Sequence, residues 1–415
     1  MKVIHISKSD TGGGGAYLAA YRIHSALRGI NVDSIMWVDH KHTSDSNVHE
    51  QRSLLITKIY NNFKSYPGRA IFKILGMSKR GSHSLSLMPS NWVNKINNSD
   101  ADIVNLHWIQ REMISIKDIS KIKKPIVWTL HDMWAFCGTE HLATDDRWRD
   151  GYQQTQKNTF FDIERWNWMR KRKLWKNKLQ IITPSRWLGN CVNDSKLMCD
   201  WPISVIGNAI NTKKWRPRNI FHARSKFSFE KNKLIILFGA KGGTVNPNKG
   251  FDLLIKSLDH VMAKTSRKNI ELIIFGQNKP GKSIDLPIKT RYLGYLKDED
   301  DLIDLYNSAN VTVVPSRMES FGLTALESLA CGTPVVSFQT SGLIDIVEHK
   351  TTGYLAEPYN VMDFGNGITW VLENDKDLFS KCIEKVRDKF SYTQIANEYE
   401  SIYSKVLNNK DISNV

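Results

Sequence analysis

The stretch Pro315-Ser316-Arg317-Met318-Glu319-Ser320-Phe321-Gly322-Leu323-Thr324-Ala325-Leu326-Glu327 decides the fold of this chain, because it joins a strand pattern to a helix pattern through a tight turn. The preceding run, Val311 to Val314, is apolar and β-branched, as in a buried parallel strand. From Gly322 onward, apolar residues recur at the spacing of one helical face. Backbone N–H groups at the start of such a helix bind phosphate without a cationic side chain. The stretch therefore predicts an α/β fold with an anion site at this turn.

Two glutamates flank the turn. Glu319 precedes it, whereas Glu327 lies inside the helix beside Leu326 and Leu329. Most glutamates are solvated at the surface, but a carboxylate in so apolar a helix is expected to be partly buried and to need a hydroxyl or amide partner. We therefore expect Glu327 to bind the vicinal hydroxyls of a ribose, and Glu319 to bind hydroxyls beyond the diphosphate. Together with the anion site, the pair predicts a nucleotide-sugar site.

Strand and helix patterns alternate twice along the chain, which predicts two doubly wound parallel sheets. Strands are predicted at 3–6, 33–38, 103–106, 126–130 and 179–183, and again at 234–238, 272–275, 291–293, 311–314 and 334–337. We divide the chain into two domains, 1–203 and 204–385, and a C-terminal helical segment, 386–415, that is expected to return to the first domain. Ligands of such sheets lie beyond the carboxyl ends of the strands, so the active site is expected in a central cleft that both domains face.

The composition indicates a globular protein with an anionic partner. The chain has 415 residues, 41% of them hydrophobic, and a formal net charge of +16. The sequence shows neither a signal-peptide pattern nor an apolar run of membrane-spanning length, so we expect a cytoplasmic protein. Its five cysteines are odd in number and irregularly spaced, which argues against a disulfide framework and a zinc site.

Much of the positive charge lies between Arg147 and Lys178, where tryptophans interleave with basic residues. The segment Arg165–Lys178 has the pattern of an interfacial helix, because cations attract anionic headgroups and tryptophan rings favour the boundary layer. A solvated basic helix whose tryptophans pack on the core explains the pattern equally well. A nucleic-acid patch is a third interpretation, but no nucleic-acid motif accompanies the charge. We therefore expect no nucleic-acid partner and leave the other two interpretations open.

A glycine run, Gly12-Gly13-Gly14-Gly15, lies between the first predicted strand and the first predicted helix. Glycines at such a turn let a ligand approach the backbone at a helix terminus. The run does not have the spacing of the dinucleotide fingerprint, so NAD is not expected. The run alone could be only a flexible turn, and its position is what favours a ligand.

Polar residues also end two later strands of the first half. His131 is followed by Asp132 at a strand end, which favours a polar role for the histidine, such as donating to a sugar hydroxyl. His107 and Trp108 end the preceding strand. These two residues, with Asp132, either form an acceptor-sugar platform or merely cap the sheet.

Two lysines, Lys241 and Lys249, follow the first strand of the second half. Each can neutralise a diphosphate leaving group as a point charge. Solvated loop lysines are the alternative, which is less credible for Lys249 because it directly precedes a helix start. The acidic runs 298–300 and 100–102 resemble a metal-binding pair, but the first suits a helix N terminus and the second the closed end of the sheet. No metal site is expected.

With these residues assembled, the chain resembles the retaining glycosyltransferases of family 4, which have two Rossmann-like domains in the GT-B architecture. The resemblance is most specific at Glu319–Glu327, Asn248-Lys249-Gly250, Leu293-Gly294-Tyr295 and Gly353-Tyr354-Leu355. The runs 129–134 and 183–188 are similar to bacterial enzymes of exopolysaccharide, lipopolysaccharide O-antigen and colanic acid assembly. The family implies an acceptor-binding first domain and a nucleotide-sugar-binding second domain.

The resemblance also implies roles for individual residues. Glu327 would bind the donor ribose, and Glu319 would hold the transferred sugar. His131 would contact the same sugar, and Lys249 would stabilise the departing nucleotide. The residues implied near the donor diphosphate are Gly14, Gly15, Lys241, Ser320, Phe321, Gly322 and Leu323.

The implied reaction moves a sugar from a UDP- or GDP-linked donor to a hydroxyl of a saccharide acceptor, lipid-linked in bacterial surface polysaccharide synthesis. It retains the anomeric configuration without a cofactor or a divalent metal, and no carboxylate acts as nucleophile, unlike in retaining hydrolases. The segment Arg165–Lys178 would hold the enzyme on the inner face of the plasma membrane. The alternatives are a nucleotide-sugar epimerase of the same fold and a non-catalytic protein that binds polyanions or membranes.

Overall fold

The computed structural model describes residues 1–51, 66–74, 82–153, 161–239, 242–264, 269–280 and 286–413. They form two compact units, the first made of Met1–Ala209 with the chain from Ile395 onward, and the second of Ile210–Gln394. Each unit contains a parallel sheet connected by helices. The predicted α/β class with two doubly wound parallel sheets is therefore confirmed.

The strands of the first unit are β1 (Lys2–Ser9), β2 (Asp33–His40), β3 (Val48–Glu50), β4 (Ile103–Leu106), β5 (Ile126–Thr129), β6 (Gln180–Thr183) and β7 (Ile203–Val205). They pair in the order β3-β2-β1-β4-β5-β6-β7, all parallel. Every residue of β4 and β5 is buried, as in strands that are covered on both faces. Because β1, β4 and β5 are neighbours and parallel, the residues that follow them meet at one edge of the sheet.

The helices of the first unit are α1 (Gly15–Arg28), α2 (Tyr66–Ile74), α3 (Trp92–Asn97), α4 (Ile116–Ile119), α5 (Arg147–Asp150), α6 (Ile163–Leu174) and α7 (Arg186–Asp194). Side-chain caps fix the starts of α4, α6 and α7, where Ser115, Asp162 and Ser185 each accept a hydrogen bond from a main-chain amide. The sequence thus determines locally where these helices begin.

The strands of the second unit are β8 (Leu234–Gly239), β9 (Ile270–Phe275), β10 (Lys289–Gly294), β11 (Val311–Val314), β12 (Val335–Phe338) and β13 (Gly353–Ala356). They pair in the order β10-β9-β8-β11-β12-β13, again all parallel. Its helices are α8 (Ile220–Lys226), the 3-10 turn Pro247–Lys249, α9 (Phe251–Lys264), α10 (Glu299–Ser308), α11 (Leu323–Ala330), α12 (Leu343–Ile346) and α13 (Val361–Phe390). The central strands β8 and β11 end beside the loops that carry Lys249 and Glu319.

The last helix, α14 (Tyr392–Ser413), contacts the sheet of the first unit through two tyrosines. The amide of Asn105 donates to the hydroxyl of Tyr403 over 2.7 Å, and the hydroxyls of Thr129 and Tyr399 lie 3.3 Å apart. Both tyrosines are fully buried. Their hydrogen bonds attach α14 to β4 and β5.

Three short strands, β3, β7 and β13, were not among the predicted strands. All three are edge strands of three or four residues. These strands are only partly buried, and none of the three contains the apolar β-branched run that marks the central strands, so the sequence pattern carries no strand signal.

Candidate functional site

The turn between β11 and α11 depends on Gly322. This glycine has a φ of 117°, and a Cβ added to it would lie 2.8 Å from Leu343 Cδ2, so a side chain would be strained and crowded there. No side chain caps α11. The Ala325 and Leu326 amides donate to the Gly322 carbonyl, which leaves the amides of Leu323 and Thr324 ahead of the first hydrogen bond of the helix. The predicted anion site is thus a helix start with positive partial charge.

The neighbouring predicted donor residues differ in exposure. Ser320 and Leu323 are partly exposed beside the turn. The ring of Phe321 is buried against Phe390, with the ring centroids 5.6 Å apart, so only its main chain is available to a ligand. Lys241 lies outside the described residues.

Lys249 and Glu319 are in direct contact. The Lys249 ammonium lies 2.6 Å from Glu319 Oε1, and their side chains are 27% and 19% exposed. The hydroxyl of Ser316 donates to the same carboxylate oxygen over 2.8 Å, and the Glu319 amide donates to Ser341 Oγ over 2.9 Å. A cation and an oriented carboxylate therefore lie within a few ångströms of each other, close to the start of α11. The two serines were not predicted, although Ser316 lies in the stretch that decides the fold.

Main-chain contacts hold the Lys249 turn against the Glu319 loop. Gly250 has a φ of 66°, and a Cβ added to it would lie only 1.9 Å from the carbonyl oxygen of Pro315. The Arg317 amide donates to the Asn248 carbonyl, and the Asn248 side chain donates to the Met318 carbonyl, each over 2.8 Å. The motif Asn248-Lys249-Gly250 therefore serves to attach one loop to the other.

Glu327 lies in the middle of α11 and is 8% exposed. The hydroxyl of Tyr306 donates to its Oε2 over 3.2 Å. Partial burial with a hydroxyl partner is what the apolar helix predicted for this carboxylate. Its role at a ribose stays a prediction.

In the first unit, Gly14 and Gly15 are exposed at the start of α1, where Gly14 is the N-cap residue in an extended conformation. A Cβ added to Gly14 would meet only the ring of Tyr17, at 3.8 Å. Packing within the unit therefore does not require glycine at this position. A ligand that approaches the backbone would require it.

His131 lies at the end of a row of histidines that crosses three adjacent strands. Its Nε2 is 3.1 Å from Nδ1 of His107, and Nε2 of His107 is 2.8 Å from Nδ1 of His5. His131 is partly exposed, whereas His107 and His5 are buried. Sequence reasoning did not select His5, because a histidine inside a strand is read as a core residue.

Trp108 and Asp132 are buried, and Asp132 is hydrogen-bonded within the unit. Its carboxylate accepts from Trp108 Nε1 over 2.8 Å and contacts His141 Nδ1 at 2.6 Å. Burial opposes ionisation of Asp132, but the adjacent His141 and the hydrogen bonds outweigh it and lower the pKa of Asp132. With His107 also buried, this predicted acceptor platform exposes little side-chain surface, and its role stays a prediction.

Only part of the basic segment Arg165–Lys178 is exposed to solvent. Lys171 is fully buried and donates to the carbonyls of Trp134, Cys137 and Gly138, and Trp168 and Trp175 are buried as well. The interfacial interpretation is therefore wrong for these three members of the segment. Residues that do lie on the exposed face are Arg165, Trp166, Met169, Arg172 and Lys173. Among the described residues, no helix is long and apolar enough to span a membrane.

Glu164, in the first turn of α6, and Glu140 form a pair of acidic residues that was not predicted. The Thr139 amide is within hydrogen-bond distance of both carboxylates, and the hydroxyl of Tyr152 donates to Glu140 over 2.9 Å. Burial, and then the adjacent Glu164, raise the pKa of Glu140 to about 8. In the parts of the chain that the structure describes, no group of three or more His, Cys, Asp or Glu residues is arranged to hold a metal ion.

Comparison with known proteins places a family match in the second unit. Residues 220–389 match the model of the family described as glycosyl transferases group 1. An uncharacterized glycosyltransferase of Methanocaldococcus jannaschii is 29% identical over 240 residues, which cover 54% of this chain and 59% of that protein. A D-inositol 3-phosphate glycosyltransferase of Thermobispora bispora is 26% identical over 220 residues, 49% of this chain and 51% of that protein. The chain spans about half the length of the curated relatives it matches.

The fold is similar to that of solved structures over nearly the whole chain. The structure of Anabaena HepE in complex with UDP-glucose has a TM-score of 0.65 and 15% sequence identity, and the match covers 98% of this chain and 100% of that one. A likeness at this identity concerns the fold alone. The fold is GT-B, as the resemblance implied.

Proposed function

We propose that this chain, in which residues 220–389 match the model of the glycosyl transferases group 1, is a retaining glycosyltransferase. It moves a sugar from a nucleotide-diphosphate sugar to a hydroxyl of a saccharide acceptor. The observation that carries the proposal is the contact of 2.6 Å between Lys249 and Glu319, within the matched region and close to the uncapped start of α11.

The two charges suit adjacent groups of a nucleotide sugar. Departure of a nucleoside diphosphate leaves negative charge on the phosphate, which Lys249 and the amides at the start of α11 would stabilise without rearrangement. Glu319 would accept hydrogen bonds from hydroxyls of the transferred sugar, and Glu327 from those of the ribose. Gly14 and Gly15 would let the donor approach the backbone of the first unit.

Retention follows if the acceptor hydroxyl attacks from the face that the diphosphate leaves and gives its proton to the departing phosphate. In this proposal His131 donates to a hydroxyl of the transferred sugar as positive charge builds on the ring. No divalent metal is needed, because Lys249 and the helix start carry the charge of the leaving group.

The acceptor is proposed to be a lipid-linked saccharide of bacterial surface polysaccharide synthesis. The exposed basic face of α6, with Trp166 38% and Met169 45% exposed, supports a peripheral position at the inner face of the plasma membrane. A phosphorylated polyol is a second candidate, because one relative is named a D-inositol 3-phosphate glycosyltransferase. A UDP-linked donor is favoured over GDP, since one structural neighbour is a complex with UDP-glucose.

The test combines UDP- and GDP-hexoses with two acceptors, a bacterial lipid-linked saccharide extract and inositol phosphate, in EDTA. We expect nucleotide release that depends on one donor and one acceptor, and a product whose NMR spectrum shows the anomeric configuration of the donor. Interconversion of the donor sugar without acceptor would instead identify an epimerase. If no donor binds or reacts while anionic vesicles are bound, the chain is a binding protein and the proposal fails.

A further inference from the structure

Three histidines form a continuous hydrogen-bonded row in the first unit. His5 belongs to β1, His107 directly follows β4, and His131 is the second residue after β5. Neighbouring rings are nearly parallel, with centroids 5.1 Å apart for His5 and His107 and 5.3 Å apart for His107 and His131. His107 uses both ring nitrogens within the row. The position of the proton on one ring therefore constrains its position on the other two.

All three rings are neutral near pH 7. Burial, reinforced by neighbouring histidines, holds the pKa values of His5 and His107 well below the usual range. Burial likewise lowers the pKa of His131 to about 4, although the charge of Asp132 opposes the shift. On the α1 side, His24 lies 5.8 Å from His5 between ring centroids, and Asp45 lies 3.9 Å from His24. A neutral imidazole has one donor nitrogen and one acceptor nitrogen.

The row can then be protonated in only two ways. In the first, each ring donates inward: His131 donates from Nε2 to His107, and His107 donates from Nε2 to His5, so His5 must carry its own proton on Nε2. This atom is buried and has no hydrogen-bond partner among the described residues. In the second, each ring donates outward: His5 and His107 each donate from Nδ1, and only a lone pair is left at His5 Nε2. Because orphaned buried N–H groups are rarer than unsatisfied acceptors, the outward direction is favoured.

We infer that His5 and His107 are positioning residues that fix the proton of His131 on Nδ1, leaving its Nε2 as an acceptor inside the row. His131 then presents Nδ1–H as a hydrogen-bond donor of fixed direction. The partner of one ring nitrogen sets which nitrogen of a histidine bears the proton. The role of that donor at a sugar hydroxyl rests on the proposed function, but the position of the proton does not.

The first experiment measures the proton position directly. Protein labelled with 15N-histidine is examined by two-bond 1H–15N correlation NMR at pH 7, and the signals are assigned by losses in His5→Gln, His107→Gln and His131→Gln. We expect all three rings as the Nδ1–H tautomer, and His131 unchanged between about pH 6 and pH 8. An Nε2–H tautomer at His131, or its titration in this window, would overturn the inference whether or not the chain is a glycosyltransferase.

The second experiment uses two variants of His107 that differ in where they place an amide. His107→Asn puts its amide nitrogen near the position of Nδ1, so it can still donate to His131, whereas His107→Gln puts it near Nε2 and cannot. We expect His131 to keep its tautomer with Asn and to lose it with Gln. In the donor and acceptor assay, His107→Gln should lower kcat about tenfold or more with little change in donor KM. His107→Asn should keep most of the wild-type kcat.

Unfolded variants would be recognised by thermal melting, with His222→Gln, an exposed histidine, as the control. If both His107 variants unfold, the wild-type NMR measurement still decides the question. Equal kcat in folded Asn and Gln variants would refute the positioning role. Absence of any transferase activity in the wild type, with the Nδ1–H tautomer observed, would refute the proposed function alone.

Discussion

Lys249 and Glu319 are 70 residues apart in sequence, yet the Lys249 ammonium lies 2.6 Å from the Glu319 carboxylate. Both side chains are partly exposed. An ion pair of this kind contributes at most about 1 kcal/mol to the free energy of unfolding. The pair is therefore either a weak structural contact or, in the proposed function, part of the donor site.

Replacement of Lys249 separates these two explanations. Lys249→Met keeps the alkyl chain and removes the charge that would stabilise the leaving diphosphate. We expect kcat to fall about 100-fold, while the melting temperature changes little. Lys256→Met, at an exposed position of α9, is the control and should leave both quantities unchanged. A large loss of stability together with a small loss of kcat would show that the pair is structural.

Glu327 is predicted to bind the donor ribose. Glu327→Ala should raise the donor KM strongly and weaken binding of the free nucleoside diphosphate by about tenfold, since a hydrogen bond to a charged group is lost. Calorimetry with the nucleotide and its 2′,3′-dideoxy analogue tests the assignment. The wild type should discriminate between them, and the variant should not. A variant that discriminates as well as the wild type would remove Glu327 from the ribose site.

The attachment of the Lys249 turn predicts a difference between two glycines. Gly250 and Gly242 both have positive φ, 66° and 63°, but an added Cβ meets Pro315 O at 1.9 Å in the first case and only Val245 Cγ2 at 3.7 Å in the second. Both alanine variants lose about 1–2 kcal/mol from the left-handed conformation. Gly250→Ala should in addition push the loops apart, lower the melting temperature further and raise the donor KM. Equal effects of the two substitutions would contradict this role for Gly250.

The sequence was most informative where local chemistry decides the structure. The predicted strand Val311–Val314 has the bounds observed for β11, because an apolar β-branched run bounded by a turn has few alternative conformations. The helix start at Gly322 followed from the same stretch. In contrast, the contact between Lys249 and Glu319 depends on the close approach of Gly250 to Pro315, which no local sequence pattern predicts.

The basic segment shows why one pattern can support two structures. Trp166 is exposed and Trp168 is buried, although both lie among basic residues of one helix. Lys171 is buried because three main-chain carbonyls from a distant loop accept its hydrogen bonds, and those acceptors are set by the tertiary fold. The row of histidines depends likewise on strand order, which brings His5 next to residues a hundred positions later.

Membrane binding is predicted to depend on the exposed face of α6 only. Arg165→Ser, Arg172→Ser and Lys173→Ser together should weaken sedimentation with vesicles of anionic lipid, because each basic residue near such a surface contributes about 1 kcal/mol. The matched control removes the same charge from α13 with Lys376→Ser, Lys381→Ser and Lys389→Ser, all at exposed positions. Equal binding by the two triple variants would show that α6 has no special role and that net charge alone acts.

The raised pKa of Glu140 predicts a pH-dependent stability. Between its usual value of 4.5 and about 8, the folded protein holds a proton on Glu140 that the unfolded chain releases. A rise in pH through this window therefore lowers the free energy of unfolding, by about 1.4 kcal/mol for each unit of pKa difference. Glu140→Gln keeps a polar side chain and cannot ionise. Relative to the wild type, it should gain at least about 2 °C in melting temperature on going from pH 5 to pH 8. Glu373→Gln, at an exposed position of α13, should show no such gain. If Glu140→Gln also shows none, Glu140 ionises in the folded protein as it does in the unfolded chain, and the prediction is wrong.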